Sequence, residues 1–214
     1  MLRNDSYSGW YRCHICVEGF ILRKKSHLSL AGYIVDVVDA DMIDHPLAFR
    51  FGSLEPDLVP TFITTKHRID LTFHKLEKKI NKVIDEDDKN KGMTIGLSKD
   101  LGIITHYIAD YFTFPHNIEY PGTMTEHIHY EAQLKVDFRE FVQKIKEKHA
   151  HFQEVNMQSA DEICTFIRKC HEEYLHAVKS VENDCRYILQ ICAQVVGAIL
   201  HLLQQNSMPL GCYM

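Results

Sequence analysis

Apolar residues recur along this chain at intervals of three and four, the spacing of helices that bury one face. Leu28, Ala31, Ile34, Val35 and Val38 form one stripe, and Ile69, Phe73, Leu76, Ile80 and Val83 a second. Leu97, Leu101, Ile104 and Ile108 give a third, and Leu134, Phe138, Phe141 and Ile145 a fourth. In Thr123-Met-Thr-Glu126 and Ser159-Ala-Asp-Glu162 a hydroxyl residue stands three positions before a glutamate. That is the capping box, in which each side chain satisfies the other's free backbone N–H. Helices are therefore predicted to begin at Met124 and Ala160, the second reaching about residue 179, with a further helix over 185–203.

Between the stripes lie turn signals. Residues 52–60 hold Pro56 and Pro60 and read as irregular. Residues 85–92 are almost wholly charged, but the glycine comes too late for a calcium loop and no closing glutamate follows, so they read as a solvated turn. Pro115 is predicted to end the helix carrying His106, and Pro121-Gly122 to make the next turn. The stretch 187–203 is free of formal charge yet carries Gln190, Gln194 and His201. About 17 residues is the lower limit for crossing a bilayer, so a buried core helix is expected and no transmembrane segment. The fold class is all-α: a single-domain multi-helix bundle over residues 22–214. Residues 1–21 lack a helical period and are expected to be a disordered leader, or the product of a start assigned too far upstream.

Composition sharpens this only in places. The 214 residues suit one domain with a sizeable core. A net charge of -5 without a basic stripe argues against a nucleic-acid partner. Seven cysteines at irregular spacing make no disulfide framework, and Cys13-His-Ile-Cys16 has no second pair to complete a structural zinc site. With no secretory signal in view, the expected location is cytoplasmic. Histidine is the exception: fourteen is roughly three times the usual number for such a chain, which points to metal.

His106-Tyr-Ile-Ala-Asp110 sets an imidazole and a carboxylate four apart on a helix, about 6 Å from each other on one face. His127-Ile-His-Tyr-Glu131 repeats the arrangement on the next helix, and His116 lies between them. Chance alone supplies about two such pairs in a chain this rich in histidine, and His14 with Glu18 is a third instance, so one pair is weak. The argument comes from closeness: five candidate ligands, of the types zinc takes in catalytic sites, fall on two helices joined by a short connection.

In these residues the chain resembles the zinc-dependent phospholipase C family, whose wider superfamily includes helical trinuclear-zinc nucleases. The resemblance covers about residues 27–131. It rests on His106-x3-Asp110-x5-His116 and His127-x3-Glu131, with Gly52-Ser-Leu-Glu-Pro-Asp57 and Thr65-Lys-His67 upstream. It implies that Asp57, His67, His106 and Asp110 hold a first zinc and His116, His127 and Glu131 a second. Asp110 would bridge to a third, for which His27 is the histidine. No cofactor beyond metal is implied. In secreted relatives the mature N-terminal residue serves the third ion; here His27 is internal and Trp10 is not terminal, so a two-metal core is the expectation. The Asp57–His67 interval is also shorter than in those enzymes. His74 and His129 fall outside the set and read as surface groups.

The resemblance implies hydrolysis of a phosphate ester, possible substrates including phospholipid, by a zinc-bridged hydroxide attacking phosphorus. Asp57 would act as ligand or as the base that takes the water's proton. The alternatives are a single-strand nuclease-like phosphodiesterase, which needs aromatic platforms beside a basic groove, and a non-catalytic zinc-binding helical protein, whose sites are closed. HD-type phosphohydrolases need an adjacent His-Asp pair, and the chain has none.

Overall fold

Each apolar stripe becomes the buried face of a helix, and the polar caps fix where the helices start. The structure, a computed structural model, describes residues 26–36, 42–58, 66–85, 92–148 and 155–207. The leader, the Cys13/Cys16 pair, His14 with Glu18, Val38, the charged run 86–91 and Cys212 lie outside the described residues. Among the described residues there are seven α-helices and no strand. They are α1 (26–36), α2 (Pro46–Gly52), α3 (Ile69–Asp85), α4 (Ile95–Tyr111), α5 (Met124–Glu147), α6 (Ala160–His176) and α7 (Val181–Ser207).

Both predicted cap sites open helices. At α5 the box is complete: Thr123 Oγ1 accepts from the Glu126 N–H, and the Glu126 carboxylate accepts from the Thr123 N–H at 2.6 Å. At α6 only half of it forms, because Glu162 accepts from the N–H of Gln158 instead of Ser159. This helix stops at His176, three residues short of expectation. Lys179 folds back and donates to the carbonyls of Tyr174 and Leu175, satisfying groups the helix end leaves open.

α4 is the axis. It packs against α2, α3 and α7, while α7 also meets α5 and α6. Leu101, Ile104 and Ile108 of α4 are fully buried, as are Val195, Val196 and Ile199 of α7. By length and composition α7 could cross a membrane, but 72% of its apolar window is buried inside the protein, as suits a core helix. One contiguous apolar cluster runs from Leu30 to Leu203.

Two expectations need correction, and one short helix has no stripe that predicts it. Ala31 and Ile34 of the α1 stripe are fully buried, but Leu28 is 43% exposed and Leu30 and Tyr33 complete the buried face, a rotation that brings His27 inside. Residues 46–52 form α2, with Pro46 in its first turn, where a missing N–H costs nothing. Pro115 does not end α4. The helix stops at Tyr111, because Asn117 Nδ2 donates to the carbonyls of Tyr111 and Thr113 and draws the chain into a separate 3-10 turn, Phe114–His116.

α2 lies unusually close to α4. A methyl group on Gly102 would collide with the carbonyl oxygen of Phe49 and come within 2.7 Å of the Ser53 nitrogen. Gly52 faces the Lys99 carbonyl in the same way. Two glycines thus let the backbones meet, and the contact sets where the chain leaves α2 for the 3-10 turn Glu55–Asp57.

Candidate metal centre

Eight side chains from six parts of the chain converge at the C-terminal half of α4. His27 comes from α1, Asp57 from the 3-10 turn after α2, and His67 from the residues leading into α3. His106 and Asp110 lie on α4, His116 closes the Phe114–His116 turn, and His127 and Glu131 stand on the first turns of α5. All are buried except His127, whose side chain is 15% exposed. His74 and His129 are exposed on the outer faces of α3 and α5.

Asp110 is the hub. Its Oδ2 lies 2.9 Å from His67 Nδ1, 3.3 Å from His106 Nε2 and 3.6 Å from His116 Nδ1, while Oδ1 faces His27 Nε2 at 3.3 Å. The two oxygens therefore serve opposite sides. His67 Nδ1 and His106 Nε2 are 3.0 Å apart, and Asp57 Oδ1 lies 3.9 and 3.8 Å from them. Despite its short interval from Asp57, His67 reaches the cluster. On the α5 side, Glu131 Oε1 is 3.1 Å from His116 Nε2 and 2.8 Å from His127 Nε2.

The electrostatics follow from burial and crowding. Burial works against the Asp110 charge, yet His116 and His106 hold its carboxyl well below the usual carboxylate range. Burial pushes the His27 imidazole down, helped by His106, whose ring stacks on it at 4.0 Å. Burial also opposes the His106 charge, but Asp110 and Asp57 outweigh it and the value is raised.

These donors fit metal. Two atoms held 2.0–2.2 Å from one zinc at tetrahedral angles stand roughly 3.3–3.6 Å apart, and the contacts above bracket that spacing. Three groups, His27/Asp57/His106, His67/His106/Asp110 and His116/His127/Glu131, each offer atoms within 4.8 Å of one another. Asp57 makes the strongest case. It is 1% exposed, and neither carboxylate oxygen has a hydrogen-bond partner. A buried anion left so costs several kcal/mol, and a dication would offset that cost.

Residue types alone did not disclose the supports. His106 Nδ1–H donates to the Ser53 carbonyl at 2.9 Å, which turns Nε2 into the cluster. That partner is backbone and carries no sequence signal. Beyond the cluster, His171 Nε2–H donates to Asn117 Oδ1 at 2.8 Å, bracing the chain just after His116. Burial, opposed by a hydrogen bond to the Tyr111 backbone and by Asp70 and aided by Lys179, pushes His171 down to about 4. Because the folded value lies below the ordinary 6.5, its contribution is intact above pH 6.5 and is lost as pH falls through 4. We expect His171→Gln to lower the dependence of stability on pH by up to one proton across this window, measured by denaturant unfolding. An unchanged slope would show that His171 does not titrate there.

A recess adjoins Asp110, His116 and Glu131, walled by Leu30, Leu134, Phe138 and Ile188. A metal-binding cluster at the edge of an apolar recess can bind an anion that carries an apolar group.

A family model described as zinc dependent phospholipase C covers residues 26–184, and so takes in all eight converging side chains. No curated protein and no solved structure matches the chain.

Proposed function

The chain belongs to the zinc-dependent phospholipase C family, and from that premise we propose that it hydrolyses phosphate esters, with phospholipid as the substrate class. The observation that carries this reading is the buried convergence of five imidazoles and three carboxylates, one of them without a hydrogen-bond partner.

Asp57, His67, His106 and Asp110 would hold one zinc, and His116, His127 and Glu131 a second. Asp110 Oδ1, turned to His27, would serve a third. When bound, the metal supplies Lewis acidity at the phosphoryl oxygens and a water acidic enough to react near neutral pH. The protein's own groups do the rest. Ser53 orients His106. One oxygen of Asp57 is available to metal, and the other can take the proton of the attacking water. Three carboxylates against two dications leave one net positive charge, which suits a phosphodiester monoanion. The recess wall of Leu30, Leu134, Phe138 and Ile188 suits the apolar part of a phospholipid better than a nucleotide, since no lysine or arginine lines it among the described residues.

Zinc per chain on protein purified without chelator, with assays on soluble choline-phosphate and bis-nitrophenyl phosphate esters, tests this. His116→Ala and Glu131→Ala are each expected to lose zinc and to lower activity by more than about a hundredfold. Full zinc content in either variant removes that residue from the ligand set.

A further inference from the structure

The last two helices contribute no candidate ligand, yet one of their side chains reaches both segments that carry the second ligand group. Asp184, in the first turn of α7, is fully buried. Its Oδ2 accepts the backbone N–H of Phe114 at 2.8 Å and the phenol of Tyr130 at 2.8 Å. Its Oδ1 accepts the phenol of Tyr174 at 2.7 Å.

The positions of these donors give the carboxylate its importance. Phe114 opens the 3-10 turn that closes with His116. Tyr130 directly precedes Glu131 and follows His127 by three residues on α5. A single oxygen atom therefore ties the turn bearing His116 to the helix bearing His127 and Glu131. The Tyr174 arm runs to α6, which carries no candidate ligand. Metal-binding side chains keep their geometry through such outer partners, and losing one typically costs about 10- to 100-fold in affinity.

We propose that Asp184 is a positioning residue for the second zinc, holding His116 at the correct distance from His127 and Glu131. This rests on the zinc reading above. The arms of Asp184 allow its role in the site to be separated from a general contribution to stability. Asp184→Asn keeps one acceptor oxygen but puts an amide donor in place of the other. Tyr130→Phe removes only the α5 arm. Tyr174→Phe removes only the α6 arm and serves as the control.

The test is zinc titration of chelator-stripped protein against a chromophoric competitor, with thermal melts of the same samples. Wild type is expected to take two ions tightly. Asp184→Asn and Tyr130→Phe should keep one at unchanged affinity and bind the other about 10- to 100-fold more weakly. Tyr174→Phe should melt lower yet bind both ions as wild type does. If Asp184→Asn does not fold, Tyr130→Phe decides the matter, since it deletes one hydroxyl. A Tyr130→Phe protein that binds both ions normally, or a Tyr174→Phe protein that loses one equally, overturns the proposal alone. Wild-type protein that takes up no zinc overturns the zinc reading with it.

Discussion

Asp57→Asn is expected to slow hydrolysis severely while leaving the metal-free protein at least as stable as wild type. The two effects have one cause. Asp57 is buried with both oxygens lacking a hydrogen-bond partner, and the nearest ring nitrogens are those of His67 and His106 at 3.9 and 3.8 Å. Without metal this charge is a burden; removing it should stabilise by about 1–2 kcal/mol. In a domain of this size that raises the melting temperature by roughly 2–8 °C. On the proposed reading, the same change with metal bound removes a ligand and a proton acceptor, and a loss of about 10²–10⁴ in rate is expected. Melting curves with and without chelator, alongside zinc content and rate, separate the two. A lower melting temperature for the chelated variant would mean that Asp57 is already compensated by the protein.

The second large effect comes from a position that touches no ligand. Gly102→Ala should destabilise the fold by about 3 kcal/mol or more, at the upper end of overpacking costs, because the obstacle is backbone and cannot swing aside. The Phe49 carbonyl and Ser53 nitrogen would have to retreat from α4, taking with them the Ser53 carbonyl that orients His106 and the turn that ends at Asp57. Zinc affinity should fall together with stability. Gly197→Ala is the matched control: it also lies within a helix, but nothing stands within 4 Å of the added methyl. There the gain in helix propensity should stabilise by about 0.5–1 kcal/mol. Chemical denaturation of both variants checks the pair, and equal destabilisation would refute the close-approach argument.

Much of this was legible in the chain itself, for reasons that are local. The stripe of α3 and the caps at Thr123 and Ser159 depend on neighbours within one turn, so spacing discloses them. The pairs His106/Asp110 and His127/Glu131 are likewise intrahelical. The rotation of α1, the short α2 and the early end of α4 were not legible. Seven residues give too few repeats to define a face, and α2 stands because glycines on two helices meet across the bundle. α4 ends where it does because Asn117, beyond the helix, claims the carbonyls of Tyr111, its last residue, and of Thr113. Asp184 was hidden for a related reason: beside Glu182 in the first turn of an apolar helix it reads as an ordinary dipole partner until its three donors are seen.

The span of the converging side chains has a mechanical consequence. His27 and Glu131 are separated by about half the length of the chain, and the cysteines at 164, 170, 185 and 192 are free thiols. On the proposed reading, metal would act as a removable staple, closing long loops much as a cross-link does and restricting the unfolded chain most where the enclosed loop is longest. Catalytic competence and resistance to unraveling would then rise and fall together with the supply of a single inorganic ion.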